Sequence, residues 1–231
     1  MAGMTVPMKM LPSAPTMSQV CLRSAASRSP RIVRTESPHA LPICGPFYHD
    51  AVKLLAISGS LRTASSNTAL LEAARDLAPP GLEIELWRRM AGLPHFNPDH
   101  DTGDVDLLPL AVRELRRSVG MADGLVISTP EYAHGLPGSF KNVLDWLVGS
   151  TEFPGKTVAV LNPSSRAVHA LEQLLLVLAT MSARLTDPPS FTIQLPRRDM
   201  TARDIADDPA LASALRSALS AIQTIVAATN A

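Results

Sequence analysis

The chain of 231 residues is long enough for one domain of ordinary size with an additional segment. Its 21 Lys and Arg residues balance its 21 Asp and Glu residues, so the formal net charge is zero. This balance argues against a dedicated nucleic-acid-binding protein and against attraction to an anionic membrane. No uninterrupted apolar run approaches the roughly 18 residues that a membrane-spanning segment needs, and we therefore expect no membrane partner.

Residues 1–50 differ in composition from the rest of the chain. Pro, Ser and Arg are frequent there, acidic residues are few, and no apolar periodicity persists. Because such a segment buries too little apolar surface to offset the entropy of ordering it, we predict a disordered N-terminal extension. An organellar transit peptide and an over-extended reading frame are the alternatives. Both cysteines, Cys21 and Cys44, fall in this segment, and a body without thiols fits a reducing, cytoplasmic location.

From Val52 onward, short apolar runs alternate with segments of helical periodicity. The predicted strands are residues 52–58, 82–87, 123–128, 156–161 and 191–195. The predicted helices are residues 67–78, 105–119, 138–149, 166–182 and 207–228. Regular alternation of this kind indicates an α/β fold, a doubly wound parallel sheet with helices on both faces, for a domain spanning residues 51–231.

In such a sheet, ligands bind beyond the carboxyl ends of the strands, at the point where the strand order reverses. With five strands in the order 2-1-3-4-5, that point lies between the first and third strands. The rule selects two loops of this chain, residues 59–67 and 129–138.

The first of these loops, GSLRTASSN, joins a buried strand to a helix. The free amides at a helix N-terminus and the positive end of its dipole attract anions. Arg62 adds a charged, planar fork suited to phosphate. The loop therefore predicts a site for a phosphate monoester, although an ordinary strand-to-helix turn with a Ser or Asn cap is the alternative. Side-chain donors are contributed by four further candidates, Ser60, Ser65, Ser66 and Asn67.

The second loop, TPEYAHGLPG, begins at Thr129. Its Pro and Gly residues predict an irregular backbone whose free N–H and C=O groups can face a planar heteroaromatic ring, on which Tyr132 can stack. The alternative is a plain crossover loop that starts the next helix, with Lys141, Asn142 and Asp145 as cap and surface residues.

Taken together, GSLRTASSN and PEYAHGLPGSFKNVLDW resemble the NAD(P)H-dependent FMN reductase family of the flavodoxin-like superfamily, which includes quinone, azo-dye and chromate reductases. The resemblance covers about residues 52–182 and implies a flavodoxin-like fold. The first loop matches the family pattern GS-x-R-x-x-S-x-N in full, and in the family the turn with this pattern surrounds the FMN phosphate. The resemblance further implies that the second loop lies along the flavin ring and ribityl chain, through Pro130, Glu131, Tyr132, Ala133, His134 and Gly135.

Two departures from the family pattern concern the ring. Ala133 stands where the family often has Asn, a polar contact that is lost here. After the fourth strand, where many members carry a Gly-rich turn, the chain reads NPSSRAVH. By position, Ser164 and Arg166 are candidate contacts to the pyrimidine side of the flavin. The alternative is a helix cap at Ser164 or Ser165.

The resemblance implies FMN as cofactor, NADPH or NADH as co-substrate, and a quinone-like or other small-molecule electron acceptor. The flavin then carries the chemistry, and we predict no catalytic side chain. It also implies a homodimer or homotetramer. The competing hypothesis is an FMN-binding carrier or regulator without turnover. We predict no metal site, because the His- and Asp-containing loop of residues 93–101 is rich in turn residues and lacks helical ligand spacing.

Overall fold

The computed structural model describes residues 51–230, so the predicted N-terminal extension and both cysteines lie outside the described residues. Its five strands form one sheet in the order β2-β1-β3-β4-β5, and every neighbouring pair is parallel. The predicted fold class is therefore confirmed. The strands are β1 Val52–Ser58, β2 Leu82–Trp87, β3 Gly124–Ser128, β4 Thr157–Asn162 and β5 Arg184–Thr192.

Helices cover both faces of the sheet. One core, on the α1, α5 and α6 side, receives Leu54 and Ala56 of β1. The other core, on the α2, α3 and α4 side, receives the alternate β1 residues Leu55 and Ile57. Because successive strand residues point to opposite faces, this burial explains the unbroken apolar run of β1. The helices are α1 Ser66–Asp76, α2 Leu110–Met121, α3 Gly138–Val148, α4 Val168–Thr180, α5 Ala202–Asp207 and α6 Pro209–Asn230.

The predicted position of the fifth strand, residues 191–195, is wrong. β5 begins at Arg184, lies at the sheet edge and pairs with β4 alone. Its register slips between Val158 and Val160 of β4, so the segment containing Pro188 and Pro189 bulges away from the ladder. Proline has no N–H to donate to a ladder, and an edge strand with a bulge is where it is tolerated.

Two helix predictions also need correction. The second helix begins at Leu110 rather than residue 105, and a separate 3₁₀ turn, Val105–Leu107, precedes it. The helix α5 was not predicted. It is short, and it starts at a capping box in which Thr201 Oγ1 accepts from the Asp204 amide while the Asp204 carboxylate accepts from the Thr201 amide.

By length and composition alone, α6 resembles a membrane-crossing helix, with a mean hydropathy of 1.4 over 18 residues. The helix contains no long uninterrupted apolar run, because polar residues recur along it, and it was therefore not expected from the sequence to resemble a membrane span. Its buried residues recur at intervals of three and four and pack in the core beside α1. This core packing accounts for the apolar stripe of α6, which is Leu215, Leu219, Ile222 and Val226.

The loop after β2 is fastened to α3 by the motif residues Asn142 and Trp146. The Asn142 amide accepts from the Phe96 N–H at 2.7 Å and donates to the Pro94 carbonyl at 2.9 Å. The Trp146 indole N–H donates to the same carbonyl at 2.8 Å, and its ring meets Phe96 edge-on. Asn142 is therefore a tether for this loop and neither a helix cap nor a free surface residue.

The same loop is held a second time by a buried ion pair. The Arg116 guanidinium lies 2.7 Å from the Asp101 carboxylate and donates twice to the Trp146 carbonyl, at 3.0 and 2.8 Å. Both charged side chains are only 9% exposed. Asp101 is thus committed to Arg116, and between residues 51 and 230 no group of three or more His, Cys, Asp or Glu residues is placed to hold a metal ion.

We expect Arg116→Ala to lower the free energy of unfolding by about 3–5 kcal/mol, because it leaves the Asp101 charge buried without its partner. Urea denaturation measures this loss. Asp101→Asn, which leaves the two bonds from Arg116 to Trp146 in place, should cost less. The exposed neighbour Arg117 supplies the control, since Arg117→Ala should change stability by less than about 0.5 kcal/mol. A loss for Arg116→Ala as small as that of the control would contradict the buried-pair account.

Candidate functional site

The loops at the carboxyl edge of the sheet surround a cavity of about 480 Å³. This volume lies within the range of about 300–1,000 Å³ that is usual for small-molecule sites. The loops after β1, β3, β4 and β5 all contribute to its wall. Of the residues predicted from the sequence, the structure brings these together on the wall: Ser60, Arg62, Ser65, Ser66, Asn67, Pro130, Glu131, Tyr132, Ser164 and Arg166. Ala133, His134 and Gly135 lie outside the lining.

The turn after β1 presents the N-terminus of α1 to the cavity. Ser65 is the N-cap, since its side chain accepts from the Thr68 amide and its carbonyl accepts from the Ala69 amide. The amides of Ser66 and Asn67 come before the first intrahelical bond and have no helical partner. The cap and the anion site are thus compatible interpretations of one turn, because capping leaves these two donors available.

Within the turn, short-range bonds fix the backbone. The Ser60 amide donates to Ser58 Oγ at 3.3 Å, and Ser60 Oγ accepts from the Arg62 amide at 3.2 Å. The Asn67 side-chain oxygen accepts from Ser128 Oγ of β3 at 2.9 Å and is buried. Asn67 therefore ties the turn to the third strand, whereas the Arg62 side chain is exposed at the cavity.

Gly59 allows the two switch-point loops to come close together. Its amide donates to the Ser128 carbonyl at 2.8 Å. A Cβ at this position would lie 2.2 Å from Thr129 Oγ1, which no side chain tolerates. The glycine of the GS pair is thus required for packing of the first loop on the second, independently of any ligand.

The loop after β3 contains a tight two-residue turn. The amides and carbonyls of Tyr132 and Gly135 bond each other, both at 3.0 Å. The central residues Ala133 and His134 both have positive φ, 49° and 60°. This conformation is characteristic of a type I′ turn, for which Asn is favoured and Ala is not. The departure from Asn at position 133 therefore affects the backbone of the turn, in addition to any contact with a ligand.

Glu131 caps α4, the helix that follows β4, from a distance in the chain. The N-cap of α4, Ala167, has no side-chain acceptor, and the Glu131 carboxylate instead accepts from the Ala170 amide at 2.9 Å. Its other oxygen lies 3.3 Å from Nδ1 of His134, whose ring meets that of His169 edge-on. The bond from the Ala170 amide lowers the pKa of Glu131, and the neighbouring His169 and His134 lower it further, against an opposing effect of desolvation.

The loop after β4 is held by hydrogen bonds to its own side chains and to the loop after β5. Asn162 Oδ1 accepts from the Ser164 amide, and Ser164 Oγ accepts from the Arg166 amide. The Ser165 amide donates to Gln194 at 2.9 Å. Since α4 begins after Ala167, neither serine is its cap, and that alternative is wrong. Arg166 is exposed on the cavity wall.

One part of the wall was missed by the sequence reasoning, namely residues 194–198 after β5. The prediction extended the fifth strand to residue 195 and considered only the loops after the first, third and fourth strands. The available signal was the sequence Pro-Arg-Arg, which directly follows that strand and therefore falls at the ligand-binding edge. With these residues included, four arginines line the cavity, Arg62, Arg166, Arg197 and Arg198.

The lowered pKa of Glu131 gives a testable pH dependence. Its stabilising contribution is complete above the unfolded-state pKa, about 4.3, and is lost as the pH falls through the lower folded-state pKa. We expect Glu131→Gln to be less stable than the parent at pH 7 and the difference to shrink on acidification below about pH 4. Thermal denaturation across this range measures it, with Glu172→Gln on the exposed face of α4 as control. A difference that stays constant with pH would contradict the assignment.

Comparisons with known proteins agree with this geometry. The family profile described as NADPH-dependent FMN reductase matches residues 52–196. An NAD(P)H-dependent FMN reductase of Pseudomonas aeruginosa is 40% identical over 138 residues, covering 56% of this chain and 72% of that protein. A quinone reductase of Escherichia coli is 31% identical over 140 residues, covering 57% and 73%. The solved structure of the flavoenzyme NAD(P)H:(acceptor) oxidoreductase FerB from Paracoccus denitrificans superposes with a TM-score of 0.59 at 25% identity, over 77% of this chain and 98% of that one. The chain therefore belongs to the NADPH-dependent FMN reductase family, whose members are flavin-dependent oxidoreductases that use NAD(P)H.

Proposed function

We propose that the cavity at the carboxyl edge of the sheet binds FMN and that the protein transfers hydride from NAD(P)H through it to a quinone-like acceptor. The proposal rests on one observation. Two different parts of a flavin site lie side by side at the point where the order of the strands reverses. One is an anion-binding helix N-terminus, and the other is an irregular loop that carries an exposed Tyr132.

The donor set after β1 fits a phosphate monoester. The free amides of Ser66 and Asn67 supply two donors with the helix dipole behind them, and the Ser60 hydroxyl lies on the same wall. Arg62 is exposed on this wall and adds a positive charge without a described carboxylate partner. In our proposal the phosphate of FMN lies in this turn.

The loops after β3 and β4 fit the remainder of the cofactor. Pro130 and Tyr132 offer apolar surface to a flat ring, and the side chain of Tyr132 is 54% exposed in the protein alone. Ser164 and Arg166 lie on the same cavity wall, where we propose that they contact the pyrimidine side of the ring. For Ala133, His134 and Gly135 we propose an indirect role, in which their turn sets the position of Tyr132.

When bound, FMN supplies the ability to accept a hydride from NAD(P)H and to pass it on. The residues of this chain bind and orient the reactants. The carboxylate of Glu131 bonds the Ala170 amide and faces His134, so we assign it to positioning the loop rather than to proton transfer. The exposed ring of Tyr132 on the cavity wall suits a flat acceptor such as a quinone, which agrees with the quinone reductases among the relatives.

We further propose a homodimer or homotetramer in the cytoplasm. Apolar side chains are exposed on α4 next to the loop of Glu131, with Val168 at 48% and Leu176 at 69%. A second subunit covering them would also narrow the mouth of the cavity.

The activity is tested by adding FMN to the purified protein and following NADPH oxidation with and without 1,4-benzoquinone. We expect oxidation that requires protein, flavin and quinone together, with free FMN as the blank. A protein that binds FMN without oxidising NADPH would favour a carrier function. A protein that binds no flavin by absorbance or fluorescence titration would contradict the proposal altogether.

Arg62→Ala tests the orientation of the cofactor. A charge-assisted bond to phosphate is worth about 1.5–3 kcal/mol, so FMN affinity should fall roughly 10- to 100-fold. Riboflavin, which lacks the phosphate, should bind with nearly unchanged affinity. Fluorescence titration with both flavins measures this, and Arg75→Ala in the last turn of α1 is the control. Equal losses for both flavins would show that Arg62 does not contact the phosphate.

A further inference from the structure

The cavity carries more positive charge than one phosphate monoester uses. Four arginines line it, although the formal net charge of the whole chain is zero. The one carboxylate on the described wall, that of Glu131, is already bonded to the Ala170 amide. The wall therefore favours a ligand, or a pair of ligands, with several negative charges.

These guanidinium groups differ in how they are neutralised. Arg197 lies 3.4 Å from the carboxylate of Asp199 and 3.5 Å from that of Asp204. Arg62, Arg166 and Arg198 form no ion pair within the described chain. The phosphate of FMN would be met by Arg62 together with the amides and hydroxyls of the first turn, which leaves unneutralised guanidinium groups elsewhere on the wall.

The segment that carries Arg197 and Arg198 is anchored at both ends. On one side, Leu195 is buried and its amide donates to the Pro163 carbonyl at 3.0 Å. On the other side, Met200 is buried in the core beside α1. A segment held at two such points presents its arginines at a fixed place on the wall, unlike the arginines of a loose surface loop.

From these observations we infer a second phosphate subsite, centred on Arg198, which is unpaired among the described residues, with Arg197 next to it in the chain, that binds a phosphate group of the dinucleotide co-substrate. The inference rests on the proposed function, because the dinucleotide enters the same cavity as the flavin. The 2′-phosphate of NADPH is a monoester with about two negative charges, whereas each phosphate of the diphosphate carries about one, so a guanidinium binds the 2′-phosphate more strongly. The subsite therefore selects NADPH over NADH through the 2′-phosphate.

Arg198 is the residue to substitute in a test of this subsite. Arg197 is paired with Asp204, which also caps α5, so its removal would disturb the local fold. Arg198→Ala removes the charge, and Arg198→Lys retains it without the planar fork. The control is Arg203→Ala, on α5 nearby, where the guanidinium faces Asp207 and does not line the cavity.

The first measurement is calorimetric titration of the FMN-loaded protein with adenosine 2′,5′-bisphosphate and, separately, with ADP. For Arg198→Ala we expect the bisphosphate to bind roughly 10-fold more weakly or worse, with partial recovery in Arg198→Lys and no change in Arg203→Ala. A larger loss for the bisphosphate than for ADP assigns the contact to the 2′-phosphate. Similar losses for both ligands assign it to the 5′-phosphate, which both ligands carry, and overturn the selectivity. Unchanged binding of both overturns the subsite.

The second measurement is anaerobic reduction of the bound flavin at varied NADPH and NADH concentrations. In Arg198→Ala the half-saturating NADPH concentration should rise roughly 10-fold at an unchanged limiting rate, with little change for NADH. Titration of the same variant with FMN and FAD separates the subsite from the flavin site. A loss of affinity for either flavin as large as the loss for NADPH would place Arg198 at the flavin and overturn the inference. Absence of flavin binding by the parent protein would instead refute the proposed function.

Discussion

The architecture of the site depends on the contact between the turn after β1 and the end of β3. There the Gly59 amide donates to the Ser128 carbonyl, and the Ser128 hydroxyl donates to Asn67. A side chain at position 59 would collide with Thr129, so the contact exists only with glycine. It fixes the N-terminus of α1 relative to the loop that begins at Thr129. Under our account, it thereby fixes the spacing of the phosphate and ring halves of the flavin site.

The loops around this contact are held by side chains from other elements. Glu131 bonds the first turn of α4, Asn142 and Trp146 hold the loop after β2, and Gln194 holds the loop after β4. Because these loops are already ordered, a ligand that binds between them loses little free energy to the ordering of loops, and this favours affinity. The frame also explains why the motif after β3 extends into α3, although its helical residues lie outside the cavity lining.

The parts of the fold that were predicted correctly are those dictated by local pattern. β1 and β2 match their predicted residues. The apolar run of β1 is unbroken because both faces of this inner strand are buried, and β2 shows the alternation of apolar and charged residues that is typical of a half-buried strand at the sheet edge. β5 does not match its predicted residues, since an edge strand with a bulge shows polar residues and prolines in place of an apolar run. The role of Glu131 was not predictable, because its partner Ala170 lies 39 residues further along the chain. Arg197 and Arg198 were missed with the strand that positions them.

In our proposal, FMN lies across the carboxyl edge of the sheet with its phosphate in the turn of residues 59–67. A crystal structure of the protein with FMN would show this arrangement. We expect phosphate oxygens within hydrogen-bond distance of the amides of Ser66 and Asn67, and the flavin ring against Pro130 and Tyr132. A flavin bound elsewhere, or bound in this cavity in the reverse direction with its phosphate between Arg197 and Arg198, would contradict it.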